Sequence, residues 1–282
     1  MPLFFFVSGF LYKFKYPKDY FYSKVCGLLI PYILIQLINW LLSNIVSLFC
    51  MVLHISNFSS MMVLEGYWFI LVLLFISIVY YVIQIALKDK RLSSVILILV
   101  SICFLLCGLG YSYFINGVST VVTQFIGFFY FAIGVEIKRH KHFNIVFQSR
   151  MIIIGFGVLF LCVTYIIADH NLLVTMARNE YGNPILFFVC SLFGILGCCF
   201  VGYGINKNRI LEFFGKNTLI VLTTQFPVYR LTQYVLRSLC EFEAINVFGC
   251  FIITCLIEIA FIRFVNRFFP LFAGRFPYRM TA

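Results

Sequence analysis

MIIIGFGVLFLCVTYII, residues Met151 to Ile167, carries no charged side chain and no alternation of polar with apolar positions. A strand that crosses a bilayer within a barrel needs about ten residues whose lipid-facing and lumen-facing side chains alternate. Here, and again from Val95 to Cys107, apolar residues occupy successive positions regardless of period. A hydrocarbon core of about 30 Å takes about 20 apolar residues at a helical rise of about 1.5 Å each. Such runs are membrane helices.

Working outward from that stretch, the same pattern recurs along the whole chain. The spacing predicts nine spans: Pro2 to Lys15, Leu28 to Val52, Tyr67 to Leu87, Leu92 to Leu109, Val118 to Ile137, Met151 to Ile167, Pro184 to Gly204, Asn217 to Leu236 and Ala244 to Phe268. Composition agrees, since 63% of the 282 residues are hydrophobic and 11% charged, whereas a soluble chain has about 45–50% apolar and about 25% charged residues. The fold class is all-α, a polytopic transmembrane bundle. With no linker and no visible repeat, residues 1–282 read as one integral-membrane domain.

Loop charge sets the orientation. Lys13, Lys15, Lys18 and Lys24 lie in the first loop, Lys88, Lys90 and Arg91 in the third, and Lys138, Arg139, Lys141 and Arg150 in the fifth. Lys207, Arg209 and Lys216 occupy the seventh, and Arg263, Arg267, Arg275 and Arg279 close the chain, while the even-numbered loops hold Arg178, Arg230 and Arg237. Lysine and arginine concentrate on the cytoplasmic side, so the odd loops and the C-terminus are expected inside and Met1 outside. The net charge of +11 is thereby a topology signal, assisted by anionic lipid. Nucleic acid is excluded as a partner because no basic stripe lies on a soluble element.

An outward Met1 stands already inside an apolar run, without the basic flank and small-residue cleavage site of a signal peptide. The first span is also short. Both are what is expected of a chain that is N-terminally incomplete by one upstream helix.

Ten of the eleven cysteines lie in or at the ends of spans, where a thiol packs as a small apolar residue. Cys240 alone falls in an outer loop. Cys103 and Cys107 share a helix face, but no histidine or carboxylate accompanies them in sequence, so no metal is expected. The longest outer segment, Ala168 to Asn183, contains Asp169, His170, Arg178 and Glu180 and reads as a solvated loop or a lid. A carboxylate can orient an imidazole for proton transfer, yet no nucleophile stands beside Asp169 and His170.

Polar residues within spans need partners away from lipid and tend to face the bundle interior. Tyr32, Gln36, Asn39 and Ser43 recur at spacings of four, three and four, which places them on one helix face. Such a stripe serves either as a hydrogen-bonded helix seam or as the lining of a path for a polar ligand. Gln84, Gln124 and Gln225 add single polar groups. Glu258 is the carboxylate deep in a predicted span, and reads either as substrate contact and proton handling or as an ion pair with Arg263 or Arg267.

Several local patterns carry a resemblance. Met1-Pro2-Leu3-Phe4-Phe5-Phe6-Val7-Ser8-Gly9-Phe10-Leu11, Lys24 followed by Leu28-Leu29-Ile30-Pro31-Tyr32, Tyr67-Trp68-Phe69, and Phe214-Gly215-Lys216-Asn217-Thr218-Leu219 occur in an order and spacing that resembles the integral-membrane acyltransferase-3 family. That family includes fucose 4-O-acetylase-like proteins and polysaccharide O-acetyltransferases. The resemblance implies a bundle of ten helices in the bacterial cytoplasmic membrane. It further implies O-acetylation of the cell envelope: transfer of an acyl group, acetyl as a rule, from cytoplasmic acyl-CoA to a hydroxyl of a cell-surface sugar or its lipid-linked precursor.

In the family the base is a histidine just before the Met-Pro-Leu-Phe-Phe-Phe stretch, which would put it upstream of Met1. Gly27 stands where a second basic residue often follows the one matched by Lys24, and Gln225 stands where a histidine is frequent. The candidate substrate-binding residues are Ser8, Lys24, Tyr32, Gln36, Asn39, Trp68 and Glu258, with Lys13, Lys15, Lys18 and Lys24 placed to attract CoA phosphates. Each has a structural alternative. Ser8-Gly9 would let two helices approach closely, Pro31 would kink a helix start, Trp68 would anchor at the interface, and Asn217 would cap a helix. A sugar-lipid transporter or flippase and a non-catalytic remnant are the competing classes.

Overall fold

The computed structural model describes residues 1–53, 67–87, 93–114, 120–139, 149–237, 243–272 and 274. They form α1 (Pro2–Phe10), α2 (Pro17–Lys24), a π turn (Val25–Leu29), α3 (Ile30–Leu53), α4 (Tyr67–Ala86), α5 (Ser93–Phe114) and α6 (Thr120–Arg139). These are followed by α7 (Arg150–Asp169), a 3-10 turn (Met176–Arg178), α8 (Pro184–Ile205), α9 (Arg209–Lys216), α10 (Thr218–Arg237) and α11 (Glu243–Phe268). Among the described residues the extended pairing reduces to one bridge, Thr175 with Glu180. The protein is a polytopic helical membrane protein.

Among the described residues, seven helical stretches are long and apolar enough to cross a bilayer. Of the nine predicted spans, the first and the eighth are not among them. The first helix stops at Phe10, short of the predicted Lys15. The segment that follows is fastened instead of helical: the Tyr81 hydroxyl donates to the Lys15 carbonyl at 2.9 Å and Lys138 Nζ to the Tyr12 carbonyl at 2.9 Å. The eighth, α10, is a helix of 20 residues, but Thr223, Thr224, Gln225, Arg230, Thr232 and Gln233 dilute its hydropathy. Arg230, counted above among loop charges, lies inside this helix and is half-buried.

The chain gathers into two compact units, the boundary falling within α4 between Leu71 and Val72. Unit 1 comprises Met1–Lys15 and Val72–Asn208. Its centre is α6, with 67% of its membrane-length stretch buried against 11% for α7. Lipid is as apolar as leucine, so helices associate here through close packing and not through the hydrophobic effect. The sequence supplies that packing with glycine: a Cβ on Gly9 of α1 would run into the Phe131 carbonyl of α6, and one on Gly134 into the Phe6 carbonyl. Gly157 and Gly197 bring α7 and α8 together in the same way. Aromatic rings fill the remainder, with Tyr80 edge-on to Tyr12 and Phe131 at 5.4 and 5.3 Å, and Phe104 stacked on Phe128 at 4.7 Å.

Unit 2 comprises Tyr16–Leu71 and Arg209–Ala282. Ile35, Ile70, Ile220, Ile262, Val265 and Phe272 form its core, with Tyr32, Phe213 and Phe214 packed against them. The junction of α2 and α3 is set by Pro31. Its ring nitrogen cannot donate to the Gly27 carbonyl and its ring crowds that carbonyl, and the preceding turn widens to a π-helix over Val25–Leu29. Pro31 therefore reshapes a continuing helix and does not end it.

Candidate functional site

Unit 2 carries polar groups where lipid surrounds the protein. Along the seam of α10 and α11 three pairs face each other: Asn266 Nδ2 donates to Asn217 Oδ1 at 2.8 Å, Thr224 Oγ1 lies 2.9 and 3.0 Å from the two carboxyl oxygens of Glu258, and the hydroxyls of Thr232 and Thr254 are 3.1 Å apart. Pairing is obligatory because no water competes for these groups in hydrocarbon. Glu258 is 2% exposed. A charged carboxylate at a helix centre costs about 2.5–3.5 kcal/mol on insertion scales, so its partner matters.

The expected ion pair with arginine is not formed among the described residues. Arg263 points outward, and the Arg267 guanidinium lies over the Phe268 ring at 5.5 Å. Five and nine residues along a helix put these side chains on other faces than Glu258. Asn217 stands at the expected cap position, directly before α10, where its carbonyl accepts the amides of Ile220 and Val221. The bonds described for its side chain run to the Phe213 carbonyl at 2.7 Å and to Asn266, which tie α9 and α11 to the start of α10.

Six of the seven candidate substrate-binding residues lie in unit 2, and Ser8 lies in unit 1. Tyr32 and Gln36 are joined, Gln36 Nε2 donating to the Tyr32 hydroxyl at 3.2 Å. Asn39 continues the half-buried stripe, and the Ser43 side chain is outside the described residues. Lys24 closes α2 with its ammonium 5.4 Å from the centre of the Tyr20 ring. Trp68 is half-buried and stands edge-on to Phe69 at 6.2 Å. Ser8 is half-buried beside Gly9, whose contact with α6 fulfils the close-packing alternative.

Unit 1 holds a network that the sequence did not single out. Glu136, 3% exposed, accepts from the Tyr80 hydroxyl at 3.3 Å and from Arg139 Nη1 at 3.1 Å, and Arg139 also donates to Ser94 Oγ at 3.0 Å. Gln84, which the sequence did single out, finds its partner here: the Tyr12 hydroxyl donates to Gln84 Oε1 at 2.7 Å. The visible signal was the three-residue spacing of Glu136 and Arg139, one helical turn on a shared face; the tyrosine could be found only from the packing of α4 on α6.

The segment after α7 is a fastened turn. Asn171 Oδ1 accepts the amides of Leu172 and Asn183, and Thr123 Oγ1 of α6 donates to the Met176 carbonyl at 2.8 Å. Asn179 and Gly182 take positive φ there. Burial pushes the Tyr181 hydroxyl up to about 12, against the opposing pull of Thr123. Asp169 and His170 do not form a dyad: both are exposed, and His170 Nδ1 bonds the Ile166 carbonyl of its own helix at 2.8 Å. No group of three His, Cys, Asp or Glu side chains among the described residues could hold a metal, and Cys240 lies outside them.

A family model described as an acyltransferase domain matches residues 1–263. The chain belongs to the acyltransferase-3 family. No curated protein and no solved structure matches it. Membership in the acyltransferase-3 family gives the broad activity, acyl transfer within a membrane, and extends over the helices of both units. For an acyltransferase-3 protein, unit 2 offers hydrogen-bonding side chains at several membrane depths, from Lys24 through Tyr32 and Gln36 to Asn39, over about 20 Å of helix at about 1.5 Å per residue.

Proposed function

We propose that the protein is a membrane O-acyltransferase that moves an acetyl group from acetyl-CoA to a hydroxyl of a cell-surface polysaccharide or its lipid-linked precursor, in a bacterial cytoplasmic membrane. The observation that carries the reading is the acyltransferase match over residues 1–263. The acceptor hydroxyl oxygen bonds to the acyl carbon, the bond from that carbon to the CoA sulfur breaks, and the hydroxyl proton ends on the departing thiol. A base must take that proton, and donors must face the oxyanion of the tetrahedral intermediate.

Within this reading Lys24 draws the CoA phosphates as a point charge at the inner surface. Tyr32, Gln36 and Asn39 supply the donors and acceptors that a sugar needs, and Trp68 offers a ring face. Ser8 holds α1 by small-residue packing. What supports the assignment to a sugar is the chemistry of the stripe, amide and phenol side chains in place of charge.

The test is to compare glycans from cells carrying the intact gene with those from cells in which it is deleted. Ester-linked acetyl, removed by mild base and read by mass spectrometry, is expected in the first and absent in the second. Equal acetylation with loss of outward movement of a sugar-lipid would replace the transferase by a flippase.

A further inference from the structure

Glu258 sits within two residues of the middle of the apolar stretch Asn246–Phe268 and is 2% exposed. Its partner among the described residues is the single hydroxyl of Thr224, which lies between both carboxyl oxygens and the Ile220 carbonyl at 2.8 Å. Thr223 cannot assist, because its hydroxyl is directed to the carbonyls of Leu219 and Ile220. Other titratable groups nearby do not compensate a charge. Cys255 shares the face one turn away on α11, Arg263 is exposed, Arg267 covers Phe268, Arg230 lies six residues further along α10, α9 contributes Lys216 bonded to Glu212, and the core contributes Tyr32 from α3. In the first turn of α4, Trp68, Phe69 and Ile70 carry no ionisable group, and the Tyr67 side chain lies outside the described residues.

An ionised carboxylate in this place would have one shared hydrogen for its several acceptor sites. A carboxylic acid removes the charge and pairs both hydrogens: its own hydrogen goes to Thr224 Oγ1, and the threonine hydrogen goes to the Ile220 carbonyl. Three residues past Thr224, Pro227 interrupts the ladder of α10, since it cannot donate to the Thr223 carbonyl. The helix is therefore weakest next to the contact.

We infer that Glu258 is a proton-binding site at the centre of the membrane, whose proton closes the chain from Glu258 through Thr224 to the Ile220 carbonyl, and whose release loosens the α10–α11 seam at Pro227. The ligand is a proton exchanged with the aqueous phase. The inference stands apart from acyl transfer, because it concerns packing that exists without substrate.

The test is infrared spectroscopy of the purified protein in lipid nanodiscs at pH 7. A carbonyl-stretch band of a protonated carboxylic acid is expected in the wild type and absent from Glu258→Gln, whose amide can still donate to Thr224 and keep the fold. Superposed spectra in that region would overturn the inference. Thr224→Val gives an independent reading should Glu258→Gln not fold: the acid band must shift when its acceptor is removed, and an unshifted band also overturns it. Deuterium exchange of amides 220–228 completes the test, with wild type equal to Glu258→Gln at pH 6 and several-fold faster at pH 9. Equal exchange at both pH values contradicts the proton-linked loosening.

Discussion

Units 1 and 2 solve the same problem, helix association in lipid, by opposite means. In unit 1 backbone meets backbone at Gly9 and Gly134, and the strongest polar network, Tyr80 with Glu136 and Arg139, lies at the last turn of α6, where Arg139 is partly exposed. In unit 2 the polar pairs of α10 and α11 run the length of the seam, from Asn217 and Asn266 through Glu258 to Thr232 and Thr254. Glycine packing yields a rigid contact with no chemistry in it. A seam of hydroxyls, amides and one carboxyl is weaker and can exchange partners, which suits the unit that would meet polar ligands. Acyl transfer needs both, a fixed frame and a polar interior.

The difference breaks most readily at Gly134. Gly134→Ala should destabilise by about 3 kcal/mol, since a methyl group meets backbone that cannot turn aside. Gly215→Ala in unit 2 meets nothing within 4 Å and should cost nothing; thermal melts in detergent compare the two. Equal losses would remove the distinction. Glu136→Ala comes next. It leaves Arg139 with its bond to Ser94 but no carboxylate partner, and since that side chain is 34% exposed, the loss expected of a buried pair is reduced by solvent to about 2 kcal/mol, read in the same melts.

Thr224→Val removes one hydroxyl from the seam and should cost about 1 kcal/mol, less than either change in unit 1. A loss larger than that of Gly134→Ala would reverse the comparison. The smallest effect concerns the turn of unit 1 between α7 and α8. The Tyr181 pKa is raised from 10.0 to about 12 by burial, so its contribution is complete below pH 10 and is lost as pH rises through about 12. Proteolysis of the segment after α7 should increase over that range in the wild type. Tyr181→Phe should abolish the dependence.

Much of this was legible in the residues. Met151 to Ile167 could be nothing but a membrane helix, and α7 covers it. The stripe of Tyr32 and Gln36 follows from spacing alone, and their bond forms as the shared face requires. Glu258 announced itself as a carboxyl in an apolar run. Its partner did not, because Thr224 is 34 positions away and looks like any helix threonine, whereas Arg263 and Arg267 were near in sequence and opposite in charge. Glu136 escaped because it ends its helix beside Lys138 and Arg139 and reads as part of a basic loop. Gly9 declared a small side chain but not the neighbour that demands it, which only the crossing of α1 and α6 supplies.

The most direct measurement of the account is transfer of radiolabelled acetyl from acetyl-CoA to the sugar fraction by membranes of the native cells, comparing wild type with Tyr32→Phe. Label should appear in mild-base-labile form with the wild type. It should fall about tenfold with Tyr32→Phe at equal protein level, the loss of one hydrogen bond to substrate. Absence of label from wild-type membranes, or full transfer by a Tyr32→Phe protein, would contradict the transferase or its placement in unit 2 respectively.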